Sequence, residues 1–217
     1  MNHATNNINV GKLNLWSMLA AAALLTCTAT AYAEAPDEVK IKSISYAGSG
    51  CPAGTVAENL SQDKLAFTLL FDSFIAEAGP GVPVREKRKN CQLLVDLDFP
   101  QGWTFTIASI DHRGYAALEK KVIGTHKASY YFQGQGQTGS LSTDLKGPKD
   151  QDYHFRDLVG LSSVVYAPCG ARRALNINTQ VQVDNSANKR ASGLMTVDSI
   201  DGQVTQIYNL KWERCRR

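Results

Sequence analysis

The stretch Leu175-Asn176-Ile177-Asn178-Thr179-Gln180-Val181-Gln182-Val183-Asp184 decides the fold class. Leu175, Ile177, Thr179, Val181 and Val183 fall on one side of an extended chain, and the Asn, Gln and Asp residues between them fall on the other. A helix would scatter both sets around its circumference, so the segment reads as a half-buried strand. The same period marks residues 39–46, 64–71, 91–99 and 103–110, and strands also fit 129–133, 162–166, 194–200 and 204–213. Asp201-Gly202 tolerates the positive φ of a tight turn and predicts a hairpin joining the last two of these. Helix is hinted at only in 159–161 and 113–121, and Gly114 and Gly124 weaken the second. About nine or ten short strands with turn residues between them predict an all-β protein, a two-sheet antiparallel β-sandwich of jelly-roll-like kind. Gly79 to Pro83 and Gly134 to Gly139 read as long surface loops of one domain covering residues 34–217.

Ahead of that domain, Leu13 to Leu25 is an uncharged apolar run, preceded by Lys12 and followed by Ala31-Tyr32-Ala33. It is shorter than the roughly 20 apolar residues a membrane-spanning helix needs, and the small-residue pattern suits signal peptidase. Residues 1–33 are therefore expected to be a signal peptide cleaved after Ala33. The competing lipoprotein-like box, Leu24-Leu25-Thr26-Cys27, has Thr26 where Gly or Ala is usual. Export makes the destination secreted or extracellular, with the periplasm and cell surface as the other places such a leader reaches. Removal of the leader leaves 22 cations against 20 anions. So even a balance argues against nucleic acid as a partner, and no membrane span is expected. The basic clusters, Arg85 to Lys89 and Lys211 to Arg217, read as solvated segments.

Four cysteines follow the leader: Cys51, Cys91, Cys169 and Cys215. An even thiol count in an exported chain is most simply two disulfides. If the strand ending near Ala47 is followed by an antiparallel pair ending near Phe71, Cys51 lies at the edge from which the chain leaves for Cys91. Cys169 with Cys215 then follows by elimination, although a three-strand meander from Leu175 to Glu213 would start and finish at opposite ends of a sheet. Sequential pairing is favoured among three connectivities.

Several short motifs, in order, resemble a secreted family known only as a domain of unknown function, number 4360. They include Gly48-Ser49-Gly50-Cys51-Pro52-Ala53-Gly54, Phe71-Asp72-Ser73-Phe74, Asn90-Cys91-Gln92, Pro100-Gln101-Gly102-Trp103, Arg113-Gly114-Tyr115-Ala116, Tyr130-Tyr131-Phe132-Gln133-Gly134 and Pro168-Cys169-Gly170. The resemblance spans nearly all of 37–215. It implies a small, mostly β, four-cysteine secreted protein and brings no activity or site residues. Tyr166-Ala167 departs from the Trp-Ser more usual in that family, but an aromatic ring is kept.

No catalytic or cofactor motif survives its context. Gly134-Gln135-Gly136-Gln137-Thr138-Gly139 matches a dinucleotide fingerprint by letter, yet a strand precedes it and no helix follows to hold a pyrophosphate. Asp96 and Asp98 share one face of a strand, about 7 Å apart, near the spacing of an inverting glycosidase. The plainer explanation is the outward face of an antiparallel strand. Of the histidines His112, His126 and His154, none has a partner at metal-ligand spacing, and Asp111 with His112, joined in space by His126, is the only metal arrangement to consider. No metal and no cofactor are expected. Asp111, Arg113 and Tyr115 alternate and would share a face, with Gly114 allowing a bulge or a close approach, and Tyr131 would point outward between the core residues Tyr130 and Phe132.

These residues, Asp111, Arg113, Tyr115 and Tyr131, are the candidate ligand-binding set, since aromatic rings flanked by hydrogen-bonding groups suit a sugar face. The expectation is a secreted binding or structural protein without catalytic residues, its partner a glycan or a cell-surface protein, its oligomeric state left open. A glycan hydrolase using Asp96 and Asp98, and an inhibitor or toxin presenting the loop Gly79 to Lys89, are the two rival readings.

Overall fold

The computed structural model describes residues 35–160, 164–197 and 206–215. Among the described residues the strands in chain order are β1 (Lys40–Ala47), β2 (Val56–Leu60), β3 (Ala66–Phe71), β4 (Ile75–Ala78), β5 (Arg88–Asp98) and β6 (Trp103–Leu118). They continue with β7 (Ile123–Phe132), β8 (Gly139–Lys146), β9 (Lys149–Leu158), β10 (Leu175–Asp184), β11 (Gly193–Thr196) and β12 (Gln206–Arg214). One sheet runs β1-β5-β10-β7-β8, the other β2-β3-β12-β6-β11-β4 with β9 added on β6. All pairings are antiparallel. The two-sheet sandwich read from the alternation is the fold.

β10 lies in the middle of the first sheet, paired to β5 along one side and to β7 along the other. Its Leu175, Ile177, Thr179, Val181 and Val183 are buried between the sheets, as their period requires. Aromatic rings fill the space opposite. Phe105 of β6 meets Phe132 of β7 edge-on at 5.2 Å, and Phe67 stacks on Tyr208 at 4.7 Å.

β6 is sixteen residues long and organises the second sheet. A register shift opposite Asn209 and Leu210 leaves Ala108 as an extra residue, a β-bulge. Before it, Phe105 and Ile107 face the core; after it, Ile110, His112, Gly114, Ala116 and Leu118 do. The bulge sits at Ala108, and Gly114 takes the other expected role, a close approach. A Cβ there would stand 2.2 Å from the Thr196 carbonyl oxygen and 2.6 Å from the Tyr153 hydroxyl.

Several expectations are corrected by these pairings. Residues 113–118 are strand, not helix. Residues 164–168 are not strand, yet they stay on β6, because Ala167 donates its N–H to the Phe105 carbonyl at 2.8 Å while Thr106 bonds the Val165 carbonyl at 2.7 Å. β8 and β9 form where only loop, or an indefinite strand, was read. β11 and β12 do not form a hairpin with each other: both run antiparallel to β6, β11 against Leu118 to Ala116 and β12 against His112 to Trp103. The Asp201-Gly202 turn lies outside the described residues. Nor is Leu175 to Glu213 a meander, since β10 belongs to one sheet and β11 and β12 to the other. The two late cysteines meet because residues 164–168 follow β6 and β12 ends opposite Trp103 of that strand. Cys51 bonds Cys91, and Cys169 bonds Cys215.

Candidate functional site on the outer face of the second sheet

Alternation after the bulge turns Asp111, Arg113 and Tyr115 outward on one face, with β9 antiparallel beside them. Their neighbours on that face are Arg156, His154 and Asp152 in register. Asp111 is buried by these side chains. Arg156 grips it with Nε at 2.7 Å and Nη2 at 3.1 Å, Asn209 donates at 2.8 Å, and His154 lies 3.5 Å away. Burial alone would raise its pKa, but the bonds from Arg156 and Asn209 outweigh it and hold the carboxyl below the usual range. Asp111 is therefore occupied in supporting the face. Arg113 stands exposed beside it.

Tyr115 is the hinge of the site. Its backbone N–H donates to the Thr196 hydroxyl at 3.0 Å, and its phenol donates to the Asp150 carboxylate, which raises the phenol pKa. Asp150 is also on the lip of a cleft of about 700 Å³ between β4, β11, β6 and the start of β9. Ala117, Gly193 and Leu194 give that cleft a small apolar floor, while Glu77, Glu119 and Asp150 supply carboxylates at its margin. The arrangement can hold a flat polar ligand: an aromatic ring, a guanidinium and acceptor oxygens in a line that ends in a concave seat.

Tyr131 is elsewhere. It points outward from β7 in the first sheet, so the sandwich lies between it and Tyr115, and the four candidate ligand residues do not form one surface. Tyr130 and Phe132 are buried on either side of it, as the alternation predicted.

Asp96 and Asp98 face outward near the edge of the first sheet and are paired with cations. Lys42 is 3.3 Å from Asp96; Lys40 at 3.7 Å and Arg172 at 2.7 Å hold Asp98. The Gly134 to Gly139 segment links two antiparallel strands, so no helix N-terminus meets it. In the Gly79 to Lys89 segment, Val84–Lys87 is a single 3-10 turn braced through Glu86, which takes Arg85 at 3.0 Å and Lys89 at 2.6 Å, and through Lys87 bonded to Asn185 at 2.7 Å.

A second cluster, facing inward, escaped the sequence reading in part. His112 and His126 do meet in space, but their carboxylate is Asp157, not Asp111, because adjacent strand residues point to opposite faces. His112 Nε2 donates to Asp157 Oδ2 at 3.0 Å, and Thr143 donates to the other oxygen at 2.7 Å. The bond from His112, helped by Thr143 and opposed by burial, keeps Asp157 below the usual carboxylate range. Gln206 donates to His126 Nε2 at 2.8 Å, and Thr179 Oγ1 is 3.0 Å from the same nitrogen. Burial first, and His112 second, push the His126 pKa well below the ordinary value, so the ring is neutral. The Nδ1 atoms of both rings are buried without a hydrogen-bond partner among the described residues, a cost of roughly 1–3 kcal/mol each.

Residues 37–215 match the family described as Domain of unknown function (DUF4360). The chain belongs to this family. A relative of this DUF4360 chain from Arthroderma benhamiae (strain ATCC MYA-4681 / CBS 112371), an uncharacterized secreted protein, is 48% identical over 180 residues, or 83% of this chain and 73% of its own. The DUF4360 protein described here is secreted, as that relative is. Among solved structures it is similar to TmCBM61 in complex with β-1,4-galactotriose, at 11% identity over 81% of this chain and 91% of that one, with a TM-score of 0.23. It is also similar to the enzymatically active domain of bacteriophage CBA120 tailspike protein 4, at 16% identity over 81% of this chain and 20% of that one, with a TM-score of 0.25. Scores this low transfer neither ligand nor activity. No helix among the described residues is long and apolar enough to cross a membrane.

Proposed function

We propose that this protein, freed of its leader by cleavage after Ala33, is a secreted non-catalytic module that binds glycans at the outer face of the second sheet. The observation that carries the reading is the continuity of Arg113 and Tyr115 with the cleft: the Tyr115 phenol is bonded to Asp150, and Asp150 forms the cleft's lip. A sugar offers hydroxyls to carboxylates and guanidinium groups and its C–H face to a tyrosine ring, and those groups stand here in sequence along one strand pair. The ring is held by Asp150 and the backbone by Thr196, so little freedom is lost on binding.

The test is binding of the oxidised chain 34–217 to an array of soluble and insoluble glycans, with reducing-end release assayed on the same wells. Binding without release is expected. Tyr115→Ala and Arg113→Ala are each expected to weaken it by about tenfold, as a central contact does, while Tyr131→Ala on the opposite face leaves it unchanged. Silence on every glycan, or equal binding by all three variants, would overturn the reading.

A further inference from the structure

We propose that His112, His126 and Asp157 form a divalent metal site, of the zinc type, that ties the two sheets together. The three donors come from three strands: His112 from β6, His126 from β7 in the opposite sheet, and Asp157 from β9. One ligand atom of each lies within 4.8 Å of the other two. Donors around a tetrahedral zinc stand about 3.3 Å from one another for bonds of about 2.0–2.1 Å, so small side-chain rotations close the set. Two imidazoles and one carboxylate, without thiolate, select zinc and its first-row neighbours over calcium or magnesium.

Hydrogen bonding among the described residues does not account for the two rings. Both histidines have no exposed surface, and each keeps a ring nitrogen, Nδ1, that meets no partner. Groups of this kind in a folded core call for an ion or a water. The surroundings have the character of an outer ligand shell. Thr143 bonds the second oxygen of Asp157, and Thr179 and Gln206 flank His126, while the Tyr208 phenol donates to Gln206 at 2.8 Å. Asp157, whose side chain is 17% exposed, is the side from which an ion and a completing water enter.

The experiment uses the oxidised chain 34–217, stripped with a chelator and titrated with zinc chloride by calorimetry, with metal content read after gel filtration. One zinc per chain and a rise in Tm are expected. Cobalt(II) in its place is expected to give the intense visible bands of a four-coordinate site. Asp157→Asn, which keeps the shape of the side chain and its bond from Thr143, is expected to weaken zinc by at least about tenfold. His154→Ala, on the outer face, is expected to change nothing. Absence of stoichiometric zinc on the parent protein would overturn the proposal. So would an Asp157→Asn variant that binds zinc as the parent does. If Asp157→Asn fails to fold, the cobalt spectrum of the parent decides alone. Glycan binding does not enter, so this site and the outer face stand or fall separately.

Discussion

His112 and His126 reach across the sandwich from opposite sheets and meet with ring centroids 3.9 Å apart and planes tilted by 47°. Polar groups at that depth hold only as a network, and Gln206 is its junction: it donates to His126 and Thr179 and accepts from Tyr208. Gln206→Leu would leave the Tyr208 hydroxyl buried without that acceptor. A loss of about 2 kcal/mol is expected in urea unfolding, and a loss under about 0.5 kcal/mol would show that the network contributes little.

Gly114 and Gly136 make a matched pair of tests. A methyl at Gly114 collides with the Thr196 carbonyl and the Tyr153 ring, whereas nothing stands within 4 Å of one at Gly136. Gly114→Ala is expected to cost about 3 kcal/mol by overpacking, and Gly136→Ala to stay within about 0.5 kcal/mol. Thermal unfolding of the two variants side by side checks both numbers.

The bridge from Cys169 to Cys215 joins the segment that follows β6 through Ala167 to the end of β12. Its sequence separation is 46 residues. Replacing both cysteines by serine is expected to cost about 3 kcal/mol through the freed unfolded chain, read as a lower urea midpoint.

Burial raises the pKa of Tyr208 and of Tyr153 above the ordinary tyrosine value. The folded state then keeps protons that the unfolded state gives up. Stability from this source is complete below the unfolded value of about 10 and falls as pH rises beyond it. Phenolate absorbance from these two rings is expected to appear together with unfolding in an alkaline titration; their ionisation in a still-folded protein would contradict the burial.

Asp96→Asn and Asp98→Asn remove exposed pairings with Lys42, Lys40 and Arg172. Each variant is expected to keep its stability within about 0.5 kcal/mol. The parent is expected to release no reducing ends from any glycan, and release that disappears in either variant would restore the hydrolase reading.

How legible all this is in the sequence depends on the contrast between the faces of each strand. β10 shows from Leu175 to Asp184 because one face is apolar and the other amide-rich. β8 and β9 are paired along their outer edges to little else, and stretches such as Lys149-Asp150-Gln151-Asp152 carry no apolar alternation to betray a strand. In β6 the phase itself changes: the bulge at Ala108 exchanges inward and outward positions, and no local pattern marks it. The grouping of Asp111, Arg113 and Tyr115 was readable because all three follow that bulge. Tyr131 was joined to them because alternation tells which way a side chain points but not which sheet it belongs to. His126 meeting His112, and Asp157 completing them, are contacts between distant segments that no spacing announces.

The position of β12 also sets an order in time. It lies between β3 and β6, and through β6 it stands next to the strands that wall the cleft. Without residues 206–214, β3 and the first half of β6 present bare edges to their surroundings. Joining the β2-β3 pair to the rest of the second sheet therefore waits for β12, through contacts far apart along the chain and correspondingly slow. The Cys169 to Cys215 bond then fixes the end of that same strand against the chain that follows β6.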